Sequence, residues 1–292
     1  MRAFAVHGGA GKIPEKLRPE HDEGIRNALG VGRQILMQDG SAVESVTAAV
    51  EILEDLPAFN AGYGSAINSA GYVELDAGLM EGQFLDIGAV AAIRDVQNPI
   101  QVCRVVLQQT QILFSGADAS RVAQEAGIKL VSPDSMISSR RLKQRQSGAS
   151  IPDLDSGVAD TIGAVALDGK SNMAAATSTG GTNNKPPGRI GDSPLPGCGY
   201  YADNNWGACS TTGWGESLAR ILAARRIVEG LERGLSVSQS ICTVLDFLKE
   251  RIRGGEGGAI LLDCQGNFGA EFNSSSMTYA WWRERGGEGV VA

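Results

Sequence analysis

Asp160-Thr161-Ile162-Gly163 is the stretch on which the reading of the whole chain turns. Thr161 opens an apolar run, Ile162 to Leu167, that reads as a buried strand. A threonine hydroxyl is a weak nucleophile without a base, and the chain offers only two histidines, His7 and His21, for that purpose. Breaking the peptide bond before Thr161 would supply a base with no other side chain, because the freed α-amine lies one carbon from its own hydroxyl. An α-amine with a pKa of about 7.7 is partly neutral at pH 7, and a positioned base is worth roughly 10²–10⁴ in rate. The sequence therefore points to a chain cut between Asp160 and Thr161, with Thr161 as the nucleophile.

Upstream of the cut the composition changes. From Ser132 to Ala159 the chain is polar, and Arg140, Arg141, Lys143 and Arg145 stand among serines and glutamines with little apolar periodicity. This predicts a flexible linker over 132–160 that becomes the tail of the first fragment. The basic run reads as a solvated face, with capture of an acidic partner as the alternative.

Further out, residues 2–6 read as a buried strand ending in the glycine-rich turn 8–11, followed by a helix over 19–38. Ser41 and Glu44 form a capping box for a helix running to about Asp55. The glycine-broken segment 58–71 precedes strands at 72–76 and 84–93 and helices at 98–112 and 117–126. Downstream of Thr161, 161–167 and 172–177 make a hairpin around Asp168-Gly169-Lys170. A glycine- and proline-rich stretch over 180–199 leads to a strand at 207–212 and then to one long helix, opened by Gly213-Trp214-Gly215 and reaching about 232. A second amphipathic helix spans 236–251, and 258–263 with 267–272 form a closing hairpin.

Composition narrows the function class. The chain has 292 residues, 42% of them apolar, enough for a large core. Its net charge of −7 and the lack of a basic stripe argue against a nucleic-acid partner. Five cysteines, odd in number and without a CxxC pair, read as thiols in a reducing compartment. No run approaches about 18 consecutive apolar residues, and no targeting segment is recognisable. The expectation is a cytoplasmic protein with no membrane contact, acting on a small molecule or dipeptide.

Six further strings give the chain a family likeness. They are His7-Gly8-Gly9-Ala10-Gly11, Phe59-Asn60-Ala61-Gly62-Tyr63-Gly64, Asp160 to Val165, Thr177-Ser178-Thr179-Gly180-Gly181, Pro187 to Pro194 and Thr211 to Glu216. In their order and spacing the chain resembles the plant-type L-asparaginase and isoaspartyl aminopeptidase family of N-terminal nucleophile hydrolases. The resemblance implies one αββα sandwich over 1–292, cut into an α subunit, 1–160, and a β subunit, 161–292, assembled as two copies of each.

The resemblance also implies roles. Thr161 is the nucleophile and Thr179 the hydroxyl beside it, while Asn60 and Thr212 match the pair that binds the oxyanion. Arg189 and Asp192 lie three residues apart in a stiffened loop, and a guanidinium fork beside a carboxylate complements the two ends of an α-amino acid. The likeness gives Arg189 the substrate α-carboxylate, Asp192 the α-amine, and Gly213 and Gly215 a place against the substrate. No cofactor is implied for catalysis. The loop over 53–63 resembles one that holds a structural sodium ion through the main-chain oxygens of Leu53, Glu54, Leu56, Phe59, Ala61 and Tyr63, and oxygen ligands suit a hard cation. His7 reads as a buried structural histidine. The implied activity is hydrolysis of L-asparagine and of β-aspartyl dipeptides, through an ester on Thr161. A glycosylasparaginase-type activity, or a binding protein on the same fold, stands as the alternative.

Overall fold

Along residues 3–6 the side chains alternate between two cores. Phe4 and Val6 enter one buried cluster, and Ala3 and Ala5 enter another. A strand buried on both faces needs a layer on each side, and the fold supplies them. The computed structural model describes residues 1–11, 13–146 and 161–291. In chain order its elements are β1 (Ala3–Ala10), α1 (Arg18–Met37), α2 (Ala42–Glu54), β2 (Leu75–Glu81), β3 (Ile87–Ile93), α3 (Pro99–Val106), β4 (Leu113–Ser115), α4 (Gly116–Glu125) and α5 (Ser139–Gln146). After residue 160 come β5 (Ile162–Leu167), β6 (Met173–Thr179), β7 (Tyr200–Asp203), β8 (Gly207–Gly213), α6 (Gly215–Ile221), α7 (Ala223–Glu232), α8 (Val237–Arg251), β9 (Gly257–Asp263), β10 (Phe268–Phe272), β11 (Met277–Arg283) and β12 (Gly287–Val291).

Eight strands form one sheet in the order β12-β11-β1-β5-β6-β2-β3-β4, and four form a second in the order β10-β9-β8-β7. Helices α1, α2 and α3 cover the outer face of the large sheet, where Phe4, Val6, Ala164 and Ala176 meet Val46, Val50 and Leu53. Its inner face, with Val165, Met173 and Ala175, packs on Tyr200, Ala208, Ile260 and Leu262 of the small sheet. Helices α7 and α8 close the far side through Ile227, Val228, Ile241 and Leu248, set against Cys209 and Leu261. The result is the expected four-layer αββα sandwich. Among the described residues, no helix is long and apolar enough to cross a membrane.

The capping box at Ser41 and Glu44 is formed, and Ser236 with Gln239 makes a second at the start of α8. Other expectations need correction. The glycine-rich string 8–11 is not a turn after the first strand: β1 continues to Ala10 through a register shift between His7 and Ala10. The long helix after Gly213 is two helices, broken at Leu222 in a left-handed conformation. The break lets Ala224 N and Arg225 N donate to the Cys198 and Gly197 carbonyls, which no local sequence signal reports. Strands β4, β7, β11 and β12 were not anticipated, the helix expected over 98–112 ends at Val106, and β2 begins at Leu75 and runs on to Glu81.

The flexible linker is corrected over 132–146. Met136 is buried in the large core and α5 carries the basic run, with Arg141 only 5% exposed. The absence of an apolar stripe misled here, because this helix docks by its guanidinium groups. The remainder of the expected linker, 147–160, including Asp160, lies outside the described residues.

Candidate active site

Register places the nucleophile candidate. Ile162 pairs with Ser178, so the start of β5 lies beside the end of β6, and Thr161 and Thr179 come together at one end of the large sheet. Thr161, Thr179, Asn60, Arg189, Asp192, Gly213 and Gly215 line one narrow space, joined by Gly181, Thr182 and Gly191. Its volume is about 10 Å³, close to the room one water needs. Thr161 is 5% exposed and Thr179 4%. The Thr179 Oγ1 accepts from Gly181 N at 3.0 Å, which fixes the turn after β6.

Asn60 reaches the site from the loop between α2 and β2. Its Nδ2 donates to Gly181 O at 2.7 Å, its Oδ1 accepts from Ala66 N at 2.7 Å, and its own carbonyl accepts from Gly180 N at 2.8 Å. An amide nitrogen carries two protons, so one is spent holding the turn and the other is available to an oxyanion. Thr212 stands next to Gly213 on β8 and is not among the residues lining the space. Its Oγ1 accepts from Ala10 N at 3.2 Å, tying the small sheet to β1.

Arg189 is held from one side by a bidentate pair with Glu216, Nε to Oε1 and Nη2 to Oε2, each at 2.7 Å. Burial works against the Arg189 cation, but the Glu216 bonds outweigh it and keep the group charged. Asp192 is buried, and desolvation pushes its carboxyl up to about 7 in spite of its own main-chain N–H and the nearby Arg189. A Cβ on Gly215 would lie 2.9 Å from Asp192 Oδ1 and 3.1 Å from Arg189 Nη2, so any side chain there would fill the gap between the two charges. Gly213 has a reason of its own. At φ +150° its Cβ would lie 2.5 Å from Glu256 O, so strand packing demands glycine there whether or not a ligand approaches.

Beneath this pair lies a buried charge layer that sequence reasoning missed. Lys185 Nζ donates to Glu74 O at 3.1 Å and stands 3.8 Å from Asp76 Oδ2, with both side chains fully buried. Glu74 in turn accepts from Gly188 N, bracing the loop that carries Arg189. The role of Glu216 was also missed. The available signal was a carboxylate one residue after Gly215, in the same string as the expected substrate glycines.

His7 is buried on β1, with its Nε2 2.8 Å from Ser210 Oγ on the facing sheet. Burial pushes its pKa down to about 3, against the smaller opposing effect of a main-chain contact with Thr161. It is neutral at physiological pH and joins the two sheets.

The loop expected to hold a cation has crowded carbonyls. A Cβ on Gly64 would lie 2.0 Å from Phe59 O and 3.0 Å from Leu56 O, and one on Gly62 would lie 2.3 Å from Glu54 O. Leu56 O and Ala61 O each accept one backbone N–H, which leaves each a second lone pair, whereas Leu53 O accepts from both Asp55 N and Leu56 N. Main-chain oxygens gathered where only glycine leaves room fit a hard cation.

Comparison with known proteins shows the family. A family model described as asparaginase matches residues 1–291. An isoaspartyl peptidase/L-asparaginase of Xenopus laevis is 42% identical, covering 95% of this chain and 91% of the relative. The human protein of the same name is 41% identical, covering 94% and 91%. An isoaspartyl peptidase of Escherichia coli strain K12 is 40% identical, covering 95% and 92%.

Proposed function

The chain belongs to the asparaginase family, and from that premise we propose that it hydrolyses β-aspartyl dipeptides and L-asparagine, using Thr161 as an N-terminal nucleophile. The observation that carries the reading is the single narrow space in which Thr161, Thr179 and Asn60 face the Arg189 and Asp192 charges. A substrate gripped by its free α-carboxylate at Arg189 and its α-ammonium at Asp192 presents its side-chain amide to Thr161.

The steps follow from the groups present. The bond between Asp160 and Thr161 is hydrolysed first, which frees the Thr161 amine. That amine takes the hydroxyl proton as Oγ1 attacks the substrate's β-carbonyl. The oxygen becomes an oxyanion, stabilised by the remaining Asn60 N–H and the Thr212 hydroxyl, with each such donor worth roughly 10²–10³ in rate. The proton passes to the leaving nitrogen, the C–N bond breaks, and ammonia or an amino acid departs, leaving a β-aspartyl ester on Thr161. Water cleaves the ester, which releases aspartate and restores the hydroxyl. Thr179 orients the nucleophile, and Glu216 holds the Arg189 fork ready for a carboxylate.

Main-chain oxygens of Leu53, Glu54, Leu56, Phe59, Ala61 and Tyr63 would hold a structural sodium ion in this reading, and its charge would stiffen the loop that carries Asn60. Two copies of each fragment assemble. The unpaired thiols of Cys103, Cys198, Cys209, Cys242 and Cys264 support a reducing, cytoplasmic setting.

Intact mass and N-terminal sequencing of the purified protein, followed by an assay of a β-aspartyl dipeptide, tests the reading. Two fragments, the second beginning at Thr161, together with release of aspartate are expected. A chain that stays whole and inactive overturns it, and activity confined to N4-glycosylated asparagine redirects it to the glycosylasparaginase alternative.

A further inference from the structure

Of the basic run at 140–145, expected to be solvated, Lys143 and Arg145 are exposed, but Arg140 and Arg141 turn onto the loop that carries Asn60. Arg140 Nε donates to Pro57 O at 2.9 Å, and its Nη2 reaches Ala58 O at 3.3 Å and Gly64 O at 3.4 Å. Arg141 Nε donates to Gly64 O at 2.7 Å, while its Nη1 bonds to Gln144 Oε1 at 2.9 Å on the same helix. These carbonyls belong to the loop that carries Asn60, and they flank it on both sides. Among the described contacts the two arginines take the oxygens of Pro57, Ala58 and Gly64, none of which belongs to the six expected to face the cation. The loop is therefore gripped from one side by guanidinium groups, and its other main-chain oxygens remain for the ion.

We infer that Arg141, assisted by Arg140, is a positioning residue for the oxyanion donor Asn60, an inference that rests on the function proposed above. Asn60 is tied to the turn after β6 by two hydrogen bonds and to its own loop by a third, from Ala66 N, so drift of the loop moves its free N–H away from the carbonyl oxygen at Thr161. Displacements of about 1 Å at such donors can cost on the order of a hundredfold in rate. Charge-assisted bonds from a fixed guanidinium to carbonyls are strong enough to hold it. Because α5 is anchored in this way, it belongs with the loop that carries Asn60 as part of the working site.

The test is a double-mutant cycle on the full chain, with kcat counted per Thr161 N terminus formed. Arg141→Ala is expected to lower kcat at least tenfold with KM within about twofold, and to speed amide hydrogen exchange over residues 57–66. In an Asn60→Ala background the same substitution is expected to change kcat less than about twofold, since the group it positions is already gone. Arg141→Lys, which keeps one donor near Gly64 O, is expected to recover part of the loss. An unchanged kcat in Arg141→Ala, or an equal loss in both backgrounds, overturns the inference while leaving the proposed function standing. An Asn60→Ala protein with normal kcat removes the oxyanion role on which the inference depends and overturns both. Should Arg141→Ala not fold, Arg140→Ala is read by the same criteria through its bonds to Pro57 and Ala58.

Discussion

Residues 1–146 and 161–291 are woven through the same sheets but bring different things to the site. In the proposed reaction the later segment contributes nearly all of the reactive chemistry: the hydroxyls of Thr161, Thr179 and Thr212, the Arg189 cation and the Asp192 carboxyl. The earlier segment contributes one side-chain amide, Asn60, and a set of main-chain carbonyls, and it places helices α1 to α3 behind the large sheet. The contrast separates two ways of making an active site. One half relies on side-chain identity, which a sequence displays, and the other on backbone shape, which it displays only through its glycines.

Four tests, using five substitutions, sharpen or break this division. Thr161→Ala should abolish hydrolysis of a β-aspartyl dipeptide, a fall of about 10⁴ or more; substantial residual turnover would mean that the later half does not supply the nucleophile. Asn60→Ala should lower kcat by roughly 10²–10³, the largest effect open to any side chain of the earlier half. A loss as great as that of Thr161→Ala would erase the division.

The third concerns pH. Asp192 must be ionised to pair with a substrate ammonium, and its pKa stands at about 7 in the free protein. As pH falls below 7, kcat/KM should drop about tenfold per unit from this group, and the Thr161 amine adds to the same limb. Asp192→Asn should therefore flatten the acid limb of log kcat/KM by about one unit of slope as well as weaken binding. Stability runs the other way. A carboxyl raised from 3.8 to about 7 stabilises the fold fully below pH 3.8 and loses that contribution as pH rises through 7. Asp192→Asn should raise the melting temperature measured at pH 8. A lowered one would mean that the buried carboxylate is held by more than the contacts seen here.

The smallest effect compares like with like. Ser41→Ala and Ser236→Ala each remove a capping box, one from each half, and each should cost about 1 kcal/mol in chemical denaturation. Equal costs with unchanged kcat would show that the halves differ in chemistry and not in how their helices are built.

What could be read from the sequence follows the same division. The apolar runs at residues 2–6 and 162–167 and the capping box at Ser41 are local signals that gave strands and a helix, while the layers came from the family resemblance. The residues Thr161, Arg189 and Asp192 stood out because few other residue types could do their work. The break at Leu222 was hidden, because its cause is a contact with carbonyls at Gly197 and Cys198 that are remote in sequence. Strands β11 and β12 were hidden in a short segment whose glycines and charges resemble a tail. The docking of Arg140 and Arg141 was hidden for a different reason. Composition makes a basic run look solvated, and its partners are backbone oxygens, which carry no sequence signature.

Strand β1 lies between β11 and β5 in the large sheet, and β2 pairs with β6. Every one of those three neighbours comes from beyond residue 160. If the bond before Thr161 is broken, as proposed, the fold becomes two chains interleaved strand by strand, and its route back from the unfolded state changes order. A unimolecular search becomes an encounter between two polypeptides, whose refolding rate depends on concentration and which must insert β1 between two partners at once. The cut molecule is thus protected by how slowly it comes apart more than by how readily it re-forms, and its lifetime when heated is set by the rate of unfolding.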